Sequence, residues 1–302
     1  MESGTHTRWL AWMLICFLVV NGVACSTNRY AKTNKIYTEQ VKQVTEVIRQ
    51  PLPTPERRVY VEAKEITKPI APASGRVVIS EKAGVRSDLE WVGAIHFDLR
   101  RPNFVVLHHT AQESVEQTLK TFTATHTEVS THYLIGRNGE IYQMLNDYLR
   151  GWHAGLSKWG NLTDLNSVSL GIELDNNGNE PFSEVQITTL VSLLDSIKTV
   201  YKIPTANFIG HADIAPTRKQ DPSIYFPWKK LAEHGFGRWP DSVLVTPPAN
   251  FNPIDAMKVI GYDTRNLEAA IIAFKRKFIQ NDLKPELTLY DKSVLYNLYL
   301  KY

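Results

Sequence analysis

The sequence predicts an α/β domain with a mixed central β-sheet flanked by helices, followed by a small C-terminal helical domain. Short apolar runs of strand length alternate with amphipathic stretches that carry helix-capping signals, and a proline-rich stretch precedes the last helical patterns. The 302 residues have room for one sizeable core plus something smaller. The net charge of +3 is too small to indicate a nucleic-acid partner, so none is expected.

The N-terminus has the pattern of a secretory signal over residues 1–24. Arg8 precedes an apolar run, 9–20, which is shorter than the roughly 20 residues that span a bilayer. Small residues then lead to Cys25, and this exit resembles a lipobox, the signal for bacterial lipoprotein processing. The resemblance implies cleavage before Cys25 and attachment of lipid to its thiol. Ordinary secretion with Cys25 incidental, or an uncleaved anchor, are the alternatives.

Cysteine usage limits the chemistry of any metal site. The chain has two cysteines, of which Cys16 lies inside the signal, so the mature chain forms no internal disulfide. A metal site must therefore use His, Asp or Glu.

Ser26, rather than Asp, follows Cys25, which predicts an outer-membrane lipoprotein facing the periplasm; a soluble periplasmic protein is the alternative. Residues 25–87 predict a tether, although 58–66 could add a strand.

The first strand of the central domain is predicted over 104–110 and ends in two histidines, His108 and His109. Neighbouring side chains on a strand face opposite ways, so both histidines cannot reach one metal. A lone strand-end histidine is more often a hydrogen-bonded core residue, and that alternative stays open here. Ser114 and Gln117 then have the spacing of a helix capping box.

A hairpin and an aromatic loop follow. Asn138 and Gly139 separate two apolar runs, which predicts a hairpin. The next loop contains Trp152, His153 and Ala154 before a glycine. Aromatic residues beside glycine suit the wall of a ligand site, so these three are the candidate substrate-binding residues; capping of the core edge is the alternative.

A second buried strand is predicted over 168–174 and carries Glu173. A carboxylate is costly when buried without a partner, so Glu173 is expected to face a polar cleft. The alternative is that this face is solvated, and that alternative would suit Asp175 equally well.

Ser183 and Gln186 then form another capping pair before an amphipathic helix, and a short strand is predicted over 207–209.

The stretch from His211 to Pro222 contains the next candidate metal ligands, His211 and Asp221. It is predicted to be a loop, too rich in proline for a helix, and Pro216 and Pro222 favour a turn that brings the chain back. A catalytic zinc site keeps three protein ligands and leaves one position for water, so His108 is the candidate third ligand. The spacing alone favours a solvated turn, because no short zinc motif such as H-E-x-x-H is present.

Six segments in order carry a family resemblance: H-H-T-A, S-T-H-Y-L-I, W-H-A-G, S-L-G-I-E-L, H-A-D-I-A-P and R-K-Q-D-P. Together they resemble the zinc-dependent type 2 N-acetylmuramoyl-L-alanine amidases, most of all the lipid-anchored outer-membrane members of enterobacteria. That family shares its fold with peptidoglycan recognition proteins and phage amidase lysozymes. The resemblance covers about residues 91–228.

The resemblance implies that His108, His211 and Asp221 bind one Zn²⁺ per chain. Glu173 matches the catalytic glutamate and Lys219 the lysine near the metal. The implied activity is hydrolysis of the amide bond between N-acetylmuramic acid and L-alanine, in peptidoglycan or muropeptides, during cell-wall turnover or recycling. The alternative is a non-catalytic peptidoglycan-recognition protein, although such sensors lack part of the ligand set. A cytoplasmic amidase for anhydro-muropeptides conflicts with the signal sequence.

Two domains are predicted after the tether. The catalytic domain spans 88–235 and a linker with four prolines spans 236–253. Residues 254–302 form a helical domain whose G-Y-D turn and A-F-K-R-K-F helix resemble the peptidoglycan-binding module of cell-wall hydrolases. Wall binding and a plain packing role are both open for it.

Overall fold

The computed structural model describes residues 101–302 together with 31–36, 39 and 42, which are helical. The predicted signal over 1–24, the candidate lipidation site Cys25 and most of the predicted tether lie outside the described residues. Within the described part, no helix combines the length and the apolar character that a membrane span requires.

A five-stranded mixed sheet forms the centre of the structure, in the order β3-β2-β4-β1-β5. Strand β1 is parallel to both β4 and β5, and β2 is parallel to β4 but antiparallel to β3. The predicted mixed sheet is therefore confirmed. The strands are β1 Phe104–His109, β2 Tyr133–Ile135, β3 Ile141–Gln143, β4 Ser169–Leu174 and β5 Phe208–Gly210.

Seven α-helices follow one another in residues 101–302. Both predicted capping signals hold: the Ser114 and Ser183 hydroxyls accept hydrogen bonds from the backbone N–H groups of Gln117 and Gln186. The helices are α1 Val115–Thr123, α2 Glu184–Tyr201, α3 His211–Ile214, α4 Trp228–Glu233, α5 Pro253–Ile260, α6 Leu267–Phe278 and α7 Leu289–Tyr299.

Helix α3 corrects one prediction. The stretch from His211 was expected to be a loop, but its first four residues form a helical turn. The Asp213 carboxylate accepts the Gly210 N–H at 2.8 Å and so caps the turn, while Pro216 lies beyond its end. The prolines therefore limit the length of the helix and do not prevent it.

The two faces of β1 contact different helices. Val105 and Leu107 pack in a cluster with the apolar side of α2, whereas Phe104 and Val106 pack in a cluster with residues of α5, α6 and α7. Because side chains alternate along a strand, His108 continues the face that the C-terminal helices cover. Helices flank both faces of the sheet, as predicted.

The C-terminal region shares its core with the sheet. Met257, Phe274 and Leu295 are fully buried in the same cluster as Val106 of β1. Residues 101–302 belong to one compact unit. The packing role of this region is thus visible, while the predicted boundaries at 236–253 and wall binding stay predictions.

Candidate metal centre

Three side chains converge at the carboxyl end of the sheet. His108 lies near the end of β1, and His211 directly follows the neighbouring parallel strand β5, in which Gly210 pairs with Leu107. Asp221 returns to this point because its carbonyl oxygen accepts the Ala212 N–H at 2.7 Å. The predicted turn therefore forms and brings both of its polar residues to His108.

The three side chains are close enough to share one ion. The Nδ1 atoms of His108 and His211 are 2.9 Å apart, and each is 3.0 Å from Asp221 Oδ2. Every one of these distances is shorter than twice the roughly 2.0–2.2 Å that separate zinc from nitrogen and oxygen ligands. All three residues are buried, with Asp221 the most exposed at 9%.

The hydrogen bonding of His211 fixes its tautomer. Its Nε2 lies 3.1 Å from the carbonyl oxygen of Ala154, which can only accept a hydrogen bond. Nε2 must therefore carry the proton. In the neutral imidazole Nδ1 then has a free lone pair that points at Asp221 Oδ2.

A chain of three hydrogen bonds fixes the tautomer of His108 in the same way. The Ser169 hydroxyl donates to the Leu165 carbonyl, so it accepts from His153 Nε2 at 3.3 Å. Burial lowers the pKa of His153 well below its usual value, so the ring is neutral and its Nδ1 accepts. His108 Nε2, at 3.2 Å, must then be the donor, which leaves Nδ1 of His108 as a lone pair.

With both rings in the neutral form that binds metals, the site presents three lone pairs with no proton between them. Burial, followed by the nearby His211, lowers the pKa of His108 to about 4, so this ring is neutral at pH 7. Two imidazole nitrogens and a carboxylate oxygen that face one another within 3.0 Å repel unless a cation lies among them. Metal-binding histidines normally donate their other N–H to a protein acceptor, as both rings do here. The donor set fits a metal ion.

Glu173 lies beside this group, in register with His108 on the neighbouring strand β4. It is 9% exposed, and its Oε2 has no hydrogen-bond partner within the described part of the chain. Burial, followed by the negative charge of Asp221, raises the pKa of Glu173 to about 8, against the opposing charge of Lys219. The carboxyl group is therefore poised to exchange a proton close to neutral pH.

Asp175, two residues after Glu173, has its carboxylate paired within the protein. Asp175 is 2% exposed, lies 3.5 Å from the Arg137 guanidinium and accepts a hydrogen bond from Thr110. The structure thus separates two carboxylates that the sequence left equivalent: Asp175 has partners, whereas Glu173 has an unpaired oxygen.

Lys219 adds a positive charge to the same place. It is half-buried, and its ammonium group makes no hydrogen bond or ion pair with any residue that the structure describes. Its charge acts on both Glu173 and His108. The Lys219 N–H donates to the Ala215 carbonyl at 2.9 Å, so the end of α3 holds this residue near the ligands.

The three candidate substrate-binding residues occupy different environments. Trp152 is 51% exposed, with the Arg150 guanidinium 4.3 Å from the centre of its ring. His153 is buried and contacts His108, and Ala154 has no exposed surface. The structure brings His153 and the Ala154 carbonyl to the metal ligands and leaves Trp152 facing solvent.

Several residues that hold this loop carried no signal in the sequence. The Asn166 side chain accepts the backbone N–H groups of both His153 and Ala154, at 3.0 and 2.8 Å. Gly171 is required because a Cβ there would collide with the His153 ring. Ser169 reaches the His153 ring only because of its position along β4. No spacing rule in the sequence connects Asn166, Ser169 or Gly171 with this loop.

His109 points away from the ligands, as strand alternation predicted. Its Nδ1 accepts the backbone N–H of Ser223 at 3.1 Å. This hydrogen bond fastens the chain that follows Asp221 to the end of β1. Thr131 is buried and donates to the Gly171 carbonyl at 2.9 Å.

Comparison with known proteins decides the family. The family described as N-acetylmuramoyl-L-alanine amidase matches residues 98–224. The N-acetylmuramoyl-L-alanine amidase AmiD of Escherichia coli K12 is 34% identical over 241 residues, which cover 69% of this chain and 86% of AmiD. The chain belongs to the N-acetylmuramoyl-L-alanine amidase family.

Solved structures of the family agree with this fold. E. coli AmiD in complex with its substrate, anhydro-N-acetylmuramic acid-L-Ala-D-γ-Glu-L-Lys, matches with a TM-score of 0.61 at 30% identity, over 71% of this amidase and 95% of AmiD. AmpDH3 of Pseudomonas aeruginosa matches with a TM-score of 0.61 at 28% identity, over 70% and 96% of the two chains. The resemblance drawn from six sequence segments and the fold class are both confirmed.

Proposed function

We propose that this chain hydrolyses the amide bond between N-acetylmuramic acid and L-alanine in peptidoglycan or in muropeptides released from it, with one Zn²⁺ per chain. The observation that carries the proposal is the convergence of three lone pairs next to a buried carboxylate with an unpaired oxygen. Identity of 34% to AmiD supports the choice of bond. The activity belongs to cell-wall turnover or recycling.

His108, His211 and Asp221 would hold the zinc. When bound, zinc polarises the amide carbonyl and lowers the pKa of a water ligand to about 7. The protein orients the ligands. The Nε2 atom of His108 hydrogen-bonds to His153, and the Nε2 atom of His211 hydrogen-bonds to the Ala154 carbonyl. Both rings therefore present Nδ1 without any rearrangement.

Glu173 is the general base in this proposal and then the general acid. Its unpaired Oε2 accepts the proton of the attacking water, and the same carboxyl later gives a proton to the leaving amine. Bound zinc would place a further positive charge beside Glu173, which would favour the ionised form and lower its pKa from about 8 towards the neutral range where a base works best.

Lys219 stabilises the oxyanion that forms as the carbonyl is attacked. Because its ammonium group has no protein partner, it can bind the negative charge of the oxyanion without first breaking an ion pair. Trp152, which is half-exposed, is the residue that we keep as a direct substrate contact. His153 and Ala154 act through the metal ligands that they touch.

A lipid anchor at Cys25 places the enzyme on the periplasmic side of the outer membrane in this proposal. The support is the sequence alone: the apolar run, the lipobox-like exit and the serine after Cys25. The Cys25→Ala chain should leave the membrane fraction and appear as a soluble periplasmic protein. Retention of that variant in the membrane would contradict the anchor.

The alternative is a protein that binds peptidoglycan without cleaving it. The complete donor set and the unpaired Glu173 oxygen favour the enzyme. Purified zinc-loaded protein should release free stem peptides that begin with L-alanine from sacculi or from anhydro-muropeptides, as seen by mass spectrometry.

Two variants sharpen that experiment. Glu173→Ala should keep its zinc and lose at least roughly 100-fold in turnover, in line with the usual contribution of general acid–base catalysis. Glu233→Gln, which neutralises an exposed carboxylate at the end of α4, is the matched control and should cleave like wild type. Binding of sacculi without any released peptide would establish the recognition protein instead.

A further inference from the structure

A groove of about 300 Å³ lies next to the candidate metal centre. Lys219, on the loop after α3, lines one side, and Ile272 and Arg276 of helix α6 line the other. The groove therefore starts at a residue with a proposed role in catalysis and extends along the C-terminal region. A substrate that passes Lys219 would meet α6 next.

Arg276 is the middle one of three consecutive basic residues in α6, and it differs from both neighbours. Lys275 pairs with Asp282 at 2.6 Å, and Lys277 pairs with Asp213 at 2.9 Å. Arg276 is half-buried and makes no hydrogen bond or ion pair with any residue in the described ranges. The charge of Arg276 interacts with those of Asp221 and His109, so Arg276 lies close to the metal ligands.

A partly buried guanidinium without a partner is unfavourable, because it has lost water and gained no acceptor. The ligand that best satisfies it is a carboxylate, which can accept two parallel hydrogen bonds from one arginine. Glu268 also lines the groove, but it lies eight residues earlier in α6, roughly 12 Å along the helix axis. The Arg276 end is therefore the positive end of the groove.

We propose that Arg276 binds a carboxylate of the substrate's stem peptide, so that the C-terminal helices contribute a specificity-determining residue to the active site. The inference rests on the proposed function. The substrate bound to AmiD contains D-γ-Glu, a linkage that leaves the α-carboxylate of that residue free. The carboxylate at the C-terminus of the peptide is a second source of the same chemistry.

The test uses full-length zinc-loaded protein and three substrates: N-acetylmuramoyl-L-Ala-D-γ-Glu-L-Lys, its α-amide at D-Glu and its C-terminal amide. For wild type, removal of the carboxylate that Arg276 binds should lower kcat/KM about 10- to 100-fold, the usual contribution of a charge-assisted hydrogen bond. Which amide is the poor substrate identifies the source of the carboxylate.

Arg276→Gln should raise KM on the parent substrate about 10- to 100-fold, with kcat nearly unchanged, and should have no further effect on the poor amide. Arg276→Lys should recover part of the loss, because it restores the charge without the planar fork. Lys258→Gln, which removes an exposed charge from α5 of the same region, is the control and should behave like wild type.

Equal losses on all three substrates, or no loss on any, would overturn the role of Arg276. Zinc content and circular dichroism of the variant exclude a folding defect as the cause of equal losses. If wild type cleaves none of the substrates, the proposed function fails separately. Calorimetric binding of the three ligands to wild type and Arg276→Gln then still decides whether Arg276 recognises a carboxylate.

Discussion

Two buried aspartates on one short segment, Asp213 and Asp221, have opposite surroundings. Asp213, which is 2% exposed, accepts hydrogen bonds from the Gly210 N–H at 2.8 Å, the Tyr262 hydroxyl at 2.9 Å and the Lys277 ammonium at 2.9 Å. Asp221, which is 9% exposed, faces imidazole nitrogens whose protons lie on the far side of each ring. A buried carboxylate with a full set of donors stabilises the fold, whereas one that faces lone pairs is built to bind a ligand.

The Asp213 side of the segment also connects the C-terminal region to the metal centre. Tyr262 and Lys277 both come from that region, and Asp213 lies two residues after the metal-ligand candidate His211. The Lys277 ammonium is in addition 4.1 Å from the centre of the Trp228 ring. The C-terminal helices therefore support the turn that carries His211, whether or not they bind the cell wall.

The largest effect on stability is expected for Lys277→Met. Removal of one partner of a buried ion pair leaves Asp213 charged and uncompensated, which typically costs about 3–5 kcal/mol. Urea denaturation of the metal-free protein measures the loss. Lys258→Met, at an exposed pair within α5, should change stability by less than about 0.5 kcal/mol. A loss for Lys277→Met as small as that of the control would show that Asp213 does not depend on this lysine.

A smaller effect is expected from Glu173 in the metal-free protein, and it should depend on pH. Its pKa is about 8 in the folded chain, against an ordinary value of 4.5 for a glutamate in water. Between these values the folded state keeps a proton that the unfolded state releases, so stability falls as the pH rises.

Glu173→Gln cannot ionise and should escape this loss. Relative to wild type, the metal-free variant should therefore gain on the order of 2–3 kcal/mol between pH 5 and pH 8. Parallel urea titrations of both proteins across that range measure the difference. A constant difference at every pH would mean that Glu173 is ionised in the folded metal-free chain, and the unpaired-carboxyl account of this site would fail.

The smallest effect is expected for Ser169→Ala, which tests the chain of hydrogen bonds behind His108. Without the Ser169 acceptor, His153 is no longer held in the tautomer that orients His108, and zinc affinity should fall about 10-fold. Competition with a chromogenic chelator measures this affinity. Ser157→Ala, at an exposed hydroxyl in the nearby loop, is the control. Equal affinity of both variants would remove Ser169 from the support of the metal site.

Local signals in the sequence were sufficient for the elements that position the site. The apolar run into His108 predicted β1, and capping pairs at Ser114 and Ser183 predicted α1 and α2, because each signal lies within a few residues of the structure that it specifies. The start of α3 was missed, since its cap depends on Asp213, whose burial the sequence did not reveal.

The remainder depends on contacts between distant residues. Spacing alone favoured a solvated turn at Asp221, and only the ordered set of six segments indicated its partner His108, 113 positions away. The A-F-K-R-K-F pattern predicted a helix, but not which of its basic residues would meet Asp213 and which would face the groove. Those outcomes are set by how α6 lies on α3, which periodicity does not determine.

The central claim is that His108, His211 and Asp221 bind one catalytic zinc. Elemental analysis of wild type, Asp221→Ala and Glu173→Gln, each loaded with zinc and dialysed against a weak chelator, tests it most directly. We expect one zinc per chain in wild type and Glu173→Gln, and none in Asp221→Ala. Wild type without zinc, or Asp221→Ala that keeps a full equivalent, would contradict the account.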